Sequence, residues 1–136
     1  MPKYFDVSYF DVKVEQRAQN GHGSEVLTTA VVKVKIGDDT LISAAEGNGP
    51  VNALDVALRK DLGKYQVFIE GLKLTDYRVR ILNSGTEAVT RVLIESEDEG
   101  GDHWTTVGVS PNIIDASFQA LMDSIVYKLI KAGAPA

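Results

Sequence analysis

The residues with the clearest capacity for chemistry form a glycine-rich turn ahead of a stretch with helical periodicity, Gly47-Asn48-Gly49-Pro50. Glycine lets the backbone come close to a ligand, and proline is favoured in the first turn of a helix. Unpaired amides and the positive end of the helix dipole attract a carboxylate or a phosphate at such a start. The turn lacks the third glycine of a dinucleotide fingerprint and the Lys-Ser/Thr pair of a phosphate loop. It predicts either an anion-binding turn or a plain strand-to-helix connection.

Two histidines and one acidic run are the other candidates. His22 lies between two glycines and His103 follows the acidic run, without the converging ligands that a metal site needs. The run lacks the spacing of an EF-hand loop, which favours a solvated hairpin, and it consists of Glu95, Glu97, Asp98, Glu99 and Asp102. Nearly every Asp and Glu is predicted on a turn or a wet face. The sequence therefore predicts no catalytic residue, no metal site and no cofactor.

Composition narrows the class of protein. The chain has 136 residues, of which 44% are apolar, and this is enough for one domain with a real core. The net charge of -5 argues against a nucleic-acid partner, because such partners are bound mainly through Lys and Arg. No apolar run reaches the roughly 20 residues of a membrane span, and the first residues do not resemble a signal peptide. With no cysteine present, we expect a cytoplasmic protein without a disulfide framework.

The elements that must position these residues follow from periodicity. Residues 4–14 and 25–36 alternate between apolar and polar side chains and predict strands, joined by a loop at 19–24 that is rich in turn formers. A tight turn at 37–39 leads into a third strand at 40–45. A helix follows the glycine turn, because one helical stripe carries Val51, Leu54, Leu58 and Leu62.

The second half repeats this order, with strands predicted at 74–82, 87–96 and 103–109 and a helix from 111 to about 131. The apolar stripe of this helix is Ile114, Phe118, Leu121, Ile125 and Leu129. Four identities recur 61 residues later, with Thr29, Val31, Gly47 and Pro50 matching Thr90, Val92, Gly108 and Pro111. An internal duplication accounts for this register, and so does convergence of two units on the same helix-start chemistry.

The predicted fold class is α+β, with two βββα units in two layers. Each unit is a three-stranded antiparallel sheet with one helix, and the two repeats occupy about 3–64 and 72–131 of a single domain at 1–136. One helix covers only one face of such a sheet, so the remaining apolar surface favours a homodimer. Five aromatic residues are candidates for this contact or for the core: Tyr9, Phe10, Tyr77, Phe118 and Tyr127.

Three segments in order resemble the carboxy-terminal regulatory domain of the 2-isopropylmalate and citramalate synthase family. They are Glu46-Gly47-Asn48-Gly49-Pro50-Val51-Asn52-Ala53-Leu54-Asp55, Leu74-Thr75-Asp76-Tyr77-Arg78-Val79-Arg80-Ile81-Leu82 and Trp104-Thr105-Thr106-Val107-Gly108-Val109-Ser110-Pro111-Asn112-Ile113-Ile114. The resemblance covers essentially the whole chain, and the segment from Asp76 to Ile81 is more similar to the citramalate synthase branch. It implies a dimer and a feedback inhibitor near the dimer interface, isoleucine in the citramalate branch and leucine in the isopropylmalate branch.

The resemblance also implies the inhibitor site. Carried over residue by residue, that site comprises Gly47, Asn48, Gly49, Pro50, Val51, Asn52, Leu74, Tyr77, Ile81, Thr86 and Thr90. Amides at the helix start would hold the carboxylate of the amino acid, and Tyr77, Val79 and Ile81 alternate onto one face of a strand that could line an apolar pocket. The family's metal-dependent catalytic barrel, which condenses acetyl-CoA with a 2-oxo acid, would lie upstream in the same chain and is absent from this sequence.

Two other functions remain open at this stage. A free-standing ligand sensor or scaffold would have no synthase barrel encoded upstream. A small enzyme would use His103 with Asp102 or Glu97, so that replacing His103 with alanine would abolish an activity. The choice between isoleucine and leucine is also open, because a pocket distinguishes one methyl position by only about 1 to 3 kcal/mol.

Overall fold

The computed structural model describes residues 4–19, 23–82 and 88–136. The chain divides into two compact units between Lys64 and Tyr65. Each unit contains a three-stranded antiparallel sheet and a helix packed on it, which confirms the predicted α+β class with two βββα units. No helix within the described residues is long and apolar enough to span a membrane.

The first unit contains the strands β1 (Asp6–Gln19), β2 (Gly23–Ile36) and β3 (Asp39–Gly47), followed by the helix α1 (Pro50–Lys60). The strands pair in the order β1-β2-β3, and a turn at Gly37, with a φ of +59°, joins the last two. The predicted loop at 19–24 is shorter in the structure, because the β1–β2 ladder continues to Gln19 opposite Gly23. Backbone pairing does not require the apolar alternation on which the prediction relied.

Alternation along β2 explains how this unit packs. Every second residue is buried on the side that faces α1: Thr28, Ala30, Val32 and Val34. The helix contributes its own buried stripe, which consists of Val51, Ala53, Leu54, Ala57 and Leu58. The opposite face of the sheet is open, with Tyr9 and Ile42 exposed on it.

The second unit contains β4 (Lys73–Ile81), β5 (Thr90–Glu97), β6 (His103–Ser110) and α2 (Ile113–Lys131), with the strands in the order β4-β5-β6. A 3-10 helix at Gly63–Ile69 precedes β4, and the sequence pattern does not predict it. Side chains that alternate along β5 are buried on the side that α2 covers: Val92, Ile94 and Ser96, followed by Asp98 just beyond the end of the strand.

The helix α2 begins two residues later than the sequence predicts. Its N-cap is Asn112, whose side chain accepts hydrogen bonds from the amides of Ile114 at 2.8 Å and Asp115 at 3.2 Å. This cap satisfies two amides of the first turn, so Pro111 lies outside the helix. In α1, by contrast, Pro50 is itself the first helical residue.

The register of the repeat differs from the one that the sequence identities indicate. Gly47 and Gly108 occupy equivalent places, because a Cβ on either would strike the backbone of the following helix. However, Gly47 pairs with Thr28 and Gly108 pairs with Val92, so the hairpin of the first unit is three residues longer. Thr29 and Thr90 are therefore not equivalent. The 61-residue offset relates Gly47 on β3 to Gly108 on β6 but does not extend to the helix starts, since α1 begins at Pro50 and α2 at Ile113.

Candidate functional site

The glycine turn connects β3 to α1 in the first unit. The amide of Ala53 donates to the carbonyl of Gly49 at 2.9 Å, and the amide of Asn48 donates to Oδ1 of Asn52 at 3.0 Å. The N-cap position is occupied by Gly49 in extended backbone, and no side chain caps the helix. The first turn also lacks an acidic residue. The start of α1 thus has the positive end of its dipole without a counter-charge from its own first turn.

The two glycines of this turn differ in the space around them. A Cβ added to Gly47 would overlap Oδ1 of Asn52 and lie 2.6 Å from the backbone nitrogen of Ala53. Around a Cβ added to Gly49 there is no atom within 4 Å. Gly47 is therefore required by packing, whereas Gly49 faces open space at the helix start.

The predicted site residues of the second unit lie on its edge strand β4. Leu74 pairs with Ser96 and Tyr77 pairs with Ile94, both of which are buried on the α2 side of β5. Residues 74 and 77 would occupy opposite faces of a regular strand. A bulge at Thr75 brings them onto the same face.

Apolar side chains of β4 stay partly uncovered on this face, because α2 packs mainly on β5 and β6. Tyr77, Val79 and Ile81 have exposed fractions of 38%, 42% and 66%. The Tyr77 hydroxyl lies 3.1 Å from Oγ of Ser117 on α2, so one end of this apolar row has a fixed polar group. The row is able to receive an apolar side chain beside a hydroxyl pair.

The remaining predicted residues belong to different parts of the chain. Thr90 begins β5 opposite Ile81, on the side that faces α2. Thr86 and His22 lie outside the described residues. The glycine turn belongs to the first unit and β4 to the second. Ser117 carries no signal in the sequence, because a serine among apolar helix positions does not indicate a partner on a strand.

In the acidic hairpin between β5 and β6, the prediction that the acidic residues are solvated is wrong for Asp98. Asp98 is not on a wet face: its side chain is 2% exposed, and it lies 3.2 Å from Nζ of the buried Lys128. It also pairs with Lys131 and accepts the amides of Gly100 and Asp102. The hydrogen bond from Lys131, with that from Lys128, holds the pKa of Asp98 well below its ordinary value. The carboxylate is thus a buried anchor for the hairpin.

Among the described residues, the geometry of His103 does not resemble a catalytic site. Its Nδ1 lies 3.7 Å from Oε2 of Glu97, and both side chains are substantially exposed. Asp102, the other proposed partner, is paired with Lys131. No group of three His, Asp or Glu residues in the described part of the chain is arranged to hold a metal ion.

A second carboxylate is partly buried, on α1. Burial raises the pKa of Asp55, and the guanidinium of Arg59, whose Nε donates to it at 2.8 Å, opposes that rise. The pair follows the i,i+4 spacing of a helix face. Such a pair stabilises the helix on which it lies.

Comparison with known proteins identifies relatives over nearly the whole chain. Residues 2–129 match the family described as LeuA allosteric (dimerisation) domain. The chain is 50% identical over 132 residues to an (R)-citramalate synthase of Geobacter sulfurreducens, an alignment that covers 96% of this chain and 24% of that protein. It is 46% identical over 137 residues to an (R)-citramalate synthase of Streptomyces coelicolor, covering 98% of this chain and 25% of that protein.

A 2-isopropylmalate synthase of Methanocaldococcus jannaschii is less similar, at 35% identity over 103 residues, which cover 76% of this chain and 18% of that protein. The chain spans about a quarter of the length of the two citramalate synthases. These matches confirm the resemblance stated from the three segments, including the greater similarity to citramalate synthases. The chain belongs to the LeuA allosteric (dimerisation) domain family of citramalate and 2-isopropylmalate synthases.

Proposed function

We propose that this chain is a single regulatory domain, made of two repeats, that binds isoleucine or leucine as a feedback inhibitor. Its parent would be a citramalate or 2-isopropylmalate synthase with an upstream catalytic barrel. The domain would act as a homodimer in the cytoplasm, without a cofactor or catalytic residues of its own. The amino acid would reduce turnover in the barrel, since an effector that favours one of two states biases a distant site.

The observation that carries the proposal is the partly exposed apolar row on β4. A monomer leaves Tyr77, Val79 and Ile81 accessible on the side where α2 packs, beside the Tyr77–Ser117 hydroxyl pair. A branched apolar side chain gains burial there, while a small or charged one does not. The glycine turn supports the proposal separately, because the uncapped start of α1 offers amides to a carboxylate.

Titration of the isolated chain with amino acids tests the apolar row. Isoleucine or leucine should bind, and alanine should bind more than tenfold more weakly, since it lacks two or three methylene equivalents worth about 0.8 kcal/mol each. Glutamate should not bind, because its side-chain charge would be desolvated without a partner. Calorimetry measures all four affinities, and equal affinity for alanine and isoleucine would contradict the assignment.

Variants of β4 locate the binding within the second unit. Tyr77→Ala should weaken isoleucine or leucine by about tenfold or more, because it removes both the ring and the hydroxyl. Tyr77→Phe keeps the ring but loses the hydroxyl near Ser117, so its difference from the wild-type chain isolates the polar contribution and its difference from Tyr77→Ala isolates that of the ring. Arg78→Ala is the matched control, because Arg78 lies on the same strand and faces the other side of the sheet. A loss of affinity in the control equal to that in Tyr77→Ala would exclude this face.

The parent synthase provides a second test. Tyr77→Ala should relieve inhibition by the amino acid while uninhibited turnover stays unchanged, because only the contacts of the effector are removed. Full inhibition of the variant enzyme would show that β4 is not part of the effector site.

A further inference from the structure

Two arginines face each other on the side of the second sheet that α2 does not cover. Arg80 on β4 pairs directly with Arg91 on β5. Tyr77 and Val79 lie on the α2 side of β4, so the alternation of the strand directs Arg80 to the open face. Side chains that are directly opposite in an antiparallel pair have Cβ atoms about 4.5–5.5 Å apart.

The charges of these two arginines are not balanced within the described part of the chain. Arg78, one step along the same face, has its Nε 2.8 Å from Oδ2 of Asp76, and Glu95 is a further nearby acid. Neither the Arg80 side chain nor the Arg91 side chain has a hydrogen bond or an ion pair among the described residues. Moreover, Nε of Arg91 is buried and lacks a hydrogen-bond partner there.

This arrangement is unfavourable for the free chain. Like charges directly opposite in a sheet repel each other, and a buried donor without a partner loses its hydration without compensation. General basicity does not explain the cluster, because the chain carries a net charge of -5. An anion that both guanidinium groups contact would reduce the repulsion between them and neutralise their charge.

We propose that Arg80 and Arg91 form a binding site for a small oxyanion, either a phosphate or a carboxylate group. Guanidinium groups present planar pairs of donors that match both kinds of group, which lysine does not do. The site lies on the opposite face of β4 from Tyr77, so it is separate from the apolar row described above. Val109, which pairs with Arg91 from β6, is half-exposed on this face.

Thermal unfolding of the 136-residue chain tests the site, with inorganic phosphate and malonate as separate probes. Sodium chloride keeps the ionic strength constant, so that general screening is the same in every sample. At least one probe should raise the Tm of the wild-type chain in a saturable way. Stabilisation by phosphate alone or by malonate alone identifies which oxyanion the site accepts.

Variants distinguish a built site from a general charge effect. Arg80→Ala and Arg91→Ala should each weaken the apparent affinity by at least tenfold. Arg80→Lys should recover only part of the binding, because it keeps the charge but loses the planar pair of donors. Arg78→Ala is the matched control and should change the affinity by less than threefold, since its guanidinium is already held by Asp76. Without an added oxyanion, Arg80→Ala should raise the Tm at low salt, because the repulsion is removed.

Three results would overturn the proposal. The first is the absence of stabilisation by either probe beyond that of chloride. The second is an equal loss of affinity in Arg78→Ala and Arg80→Ala. The third is a change of sedimentation in Arg80→Ala without any oxyanion effect in the wild-type chain, which would assign this face to contact with a second copy. The two faces of β4 are separate, so Arg80→Ala should bind isoleucine as the wild-type chain does. Loss of oxyanion binding with unchanged isoleucine binding therefore separates this proposal from the proposed function.

Discussion

At the scale of single residues, the two glycines of the turn before α1 have different roles. Gly47 lies against Asn52 and Ala53, and the surroundings of Gly49 are open. Sequence alone does not separate them, because both are glycines in the same turn. The separation makes it possible to test packing and ligand binding with different variants.

Substitution of Gly47 should affect stability, whereas substitution of Gly49 should affect ligand binding. Gly47→Ala should lower the free energy of unfolding by about 1–3 kcal/mol, because its Cβ has no room beside the helix backbone. Gly49→Asp should leave the fold intact but weaken amino-acid binding, since it places a carboxylate where a ligand carboxylate would approach the amides. Chemical denaturation measures the first effect and calorimetry the second. Gly49→Ala is the control for the added Cβ, and unchanged affinity in Gly49→Asp would mean that the turn is only structural.

The buried pair of Asp98 and Lys128 is the other residue-scale feature with a testable consequence. Removal of one partner leaves the other charge buried, so Lys128→Met should destabilise the chain more than Glu99→Gln does. Glu99 is the matched control because it contacts the same Nζ but is largely exposed. Equal losses in the two variants, measured by chemical denaturation, would show that burial of the pair is unimportant.

The same pair predicts how stability depends on pH. The pKa of Asp98 is lowered in the folded chain, chiefly by the hydrogen bond from Lys131. The unfolded chain therefore binds more protons than the folded chain when the pH falls below the ordinary aspartate pKa near 4. The contribution of Asp98 is present above this pH and is lost as the pH falls through the folded pKa. In Asp98→Asn, the free energy of unfolding should therefore fall less steeply as the pH is lowered below about 4. Chemical denaturation over a range of pH measures this dependence, and the same dependence in the variant and the wild-type chain would contradict the assignment.

At the scale of elements, the two helices begin differently although their units share one order of elements. Asn112 caps α2 through its side chain, whereas α1 begins with Pro50 after an uncapped glycine. A capped helix start has fewer free amides to offer a ligand. This difference favours α1 over α2 as the helix that receives a carboxylate.

Removal of the α2 cap tests that comparison. Asn112→Ala should lower the free energy of unfolding by about 1 kcal/mol, because the amides of Ile114 and Asp115 lose their acceptor. Asn112→Ser keeps a capping oxygen and should recover most of the loss. Chemical denaturation of both variants provides the measurement, and equal stability of the alanine and serine forms would show that the cap contributes nothing.

At the scale of the whole molecule, the isolated chain leaves large apolar side chains exposed to solvent. A shallow depression of about 470 Å³ on the open face of the first sheet is lined by Ser8, Tyr9, Val31, Lys33 and Ile42. Ile42 is 69% exposed there. Large apolar side chains exposed close together, here Tyr9 and Ile42 on either side of Lys33, are typical of protein interfaces.

The chain should therefore sediment as a homodimer at micromolar concentration. Ile42→Lys should shift the equilibrium toward monomer, because it places a charge within apolar surface that a partner would cover. Val67→Lys is the control, since Val67 is similarly exposed but lies on the 3-10 helix. A stable monomer across the micromolar range, measured by sedimentation velocity, would remove the basis for a dimeric domain.

Local patterns were sufficient to predict the two βββα units and the order of their elements. Apolar residues recur with a period of two in the strands and 3.6 in the helices, and these periods depend only on neighbouring residues. The three segments of the resemblance likewise identified the family, because residue identity in order is a property of the sequence. The strand ends at 19–23 and the helix start at Ile113 were less accurate, since ladders and caps extend beyond the periodic residues.

Only the tertiary structure decided which side chains share a face and which charges are buried. The bulge at Thr75 moves Tyr77 onto the face of Leu74, and the longer hairpin of the first unit separates Thr29 from Thr90 in register. Both depend on pairing between distant strands, which periodicity along one strand does not determine. Asp98 resembles its exposed acidic neighbours in sequence, yet it is buried because α2 brings Lys128 and Lys131 to it across about 30 residues of chain.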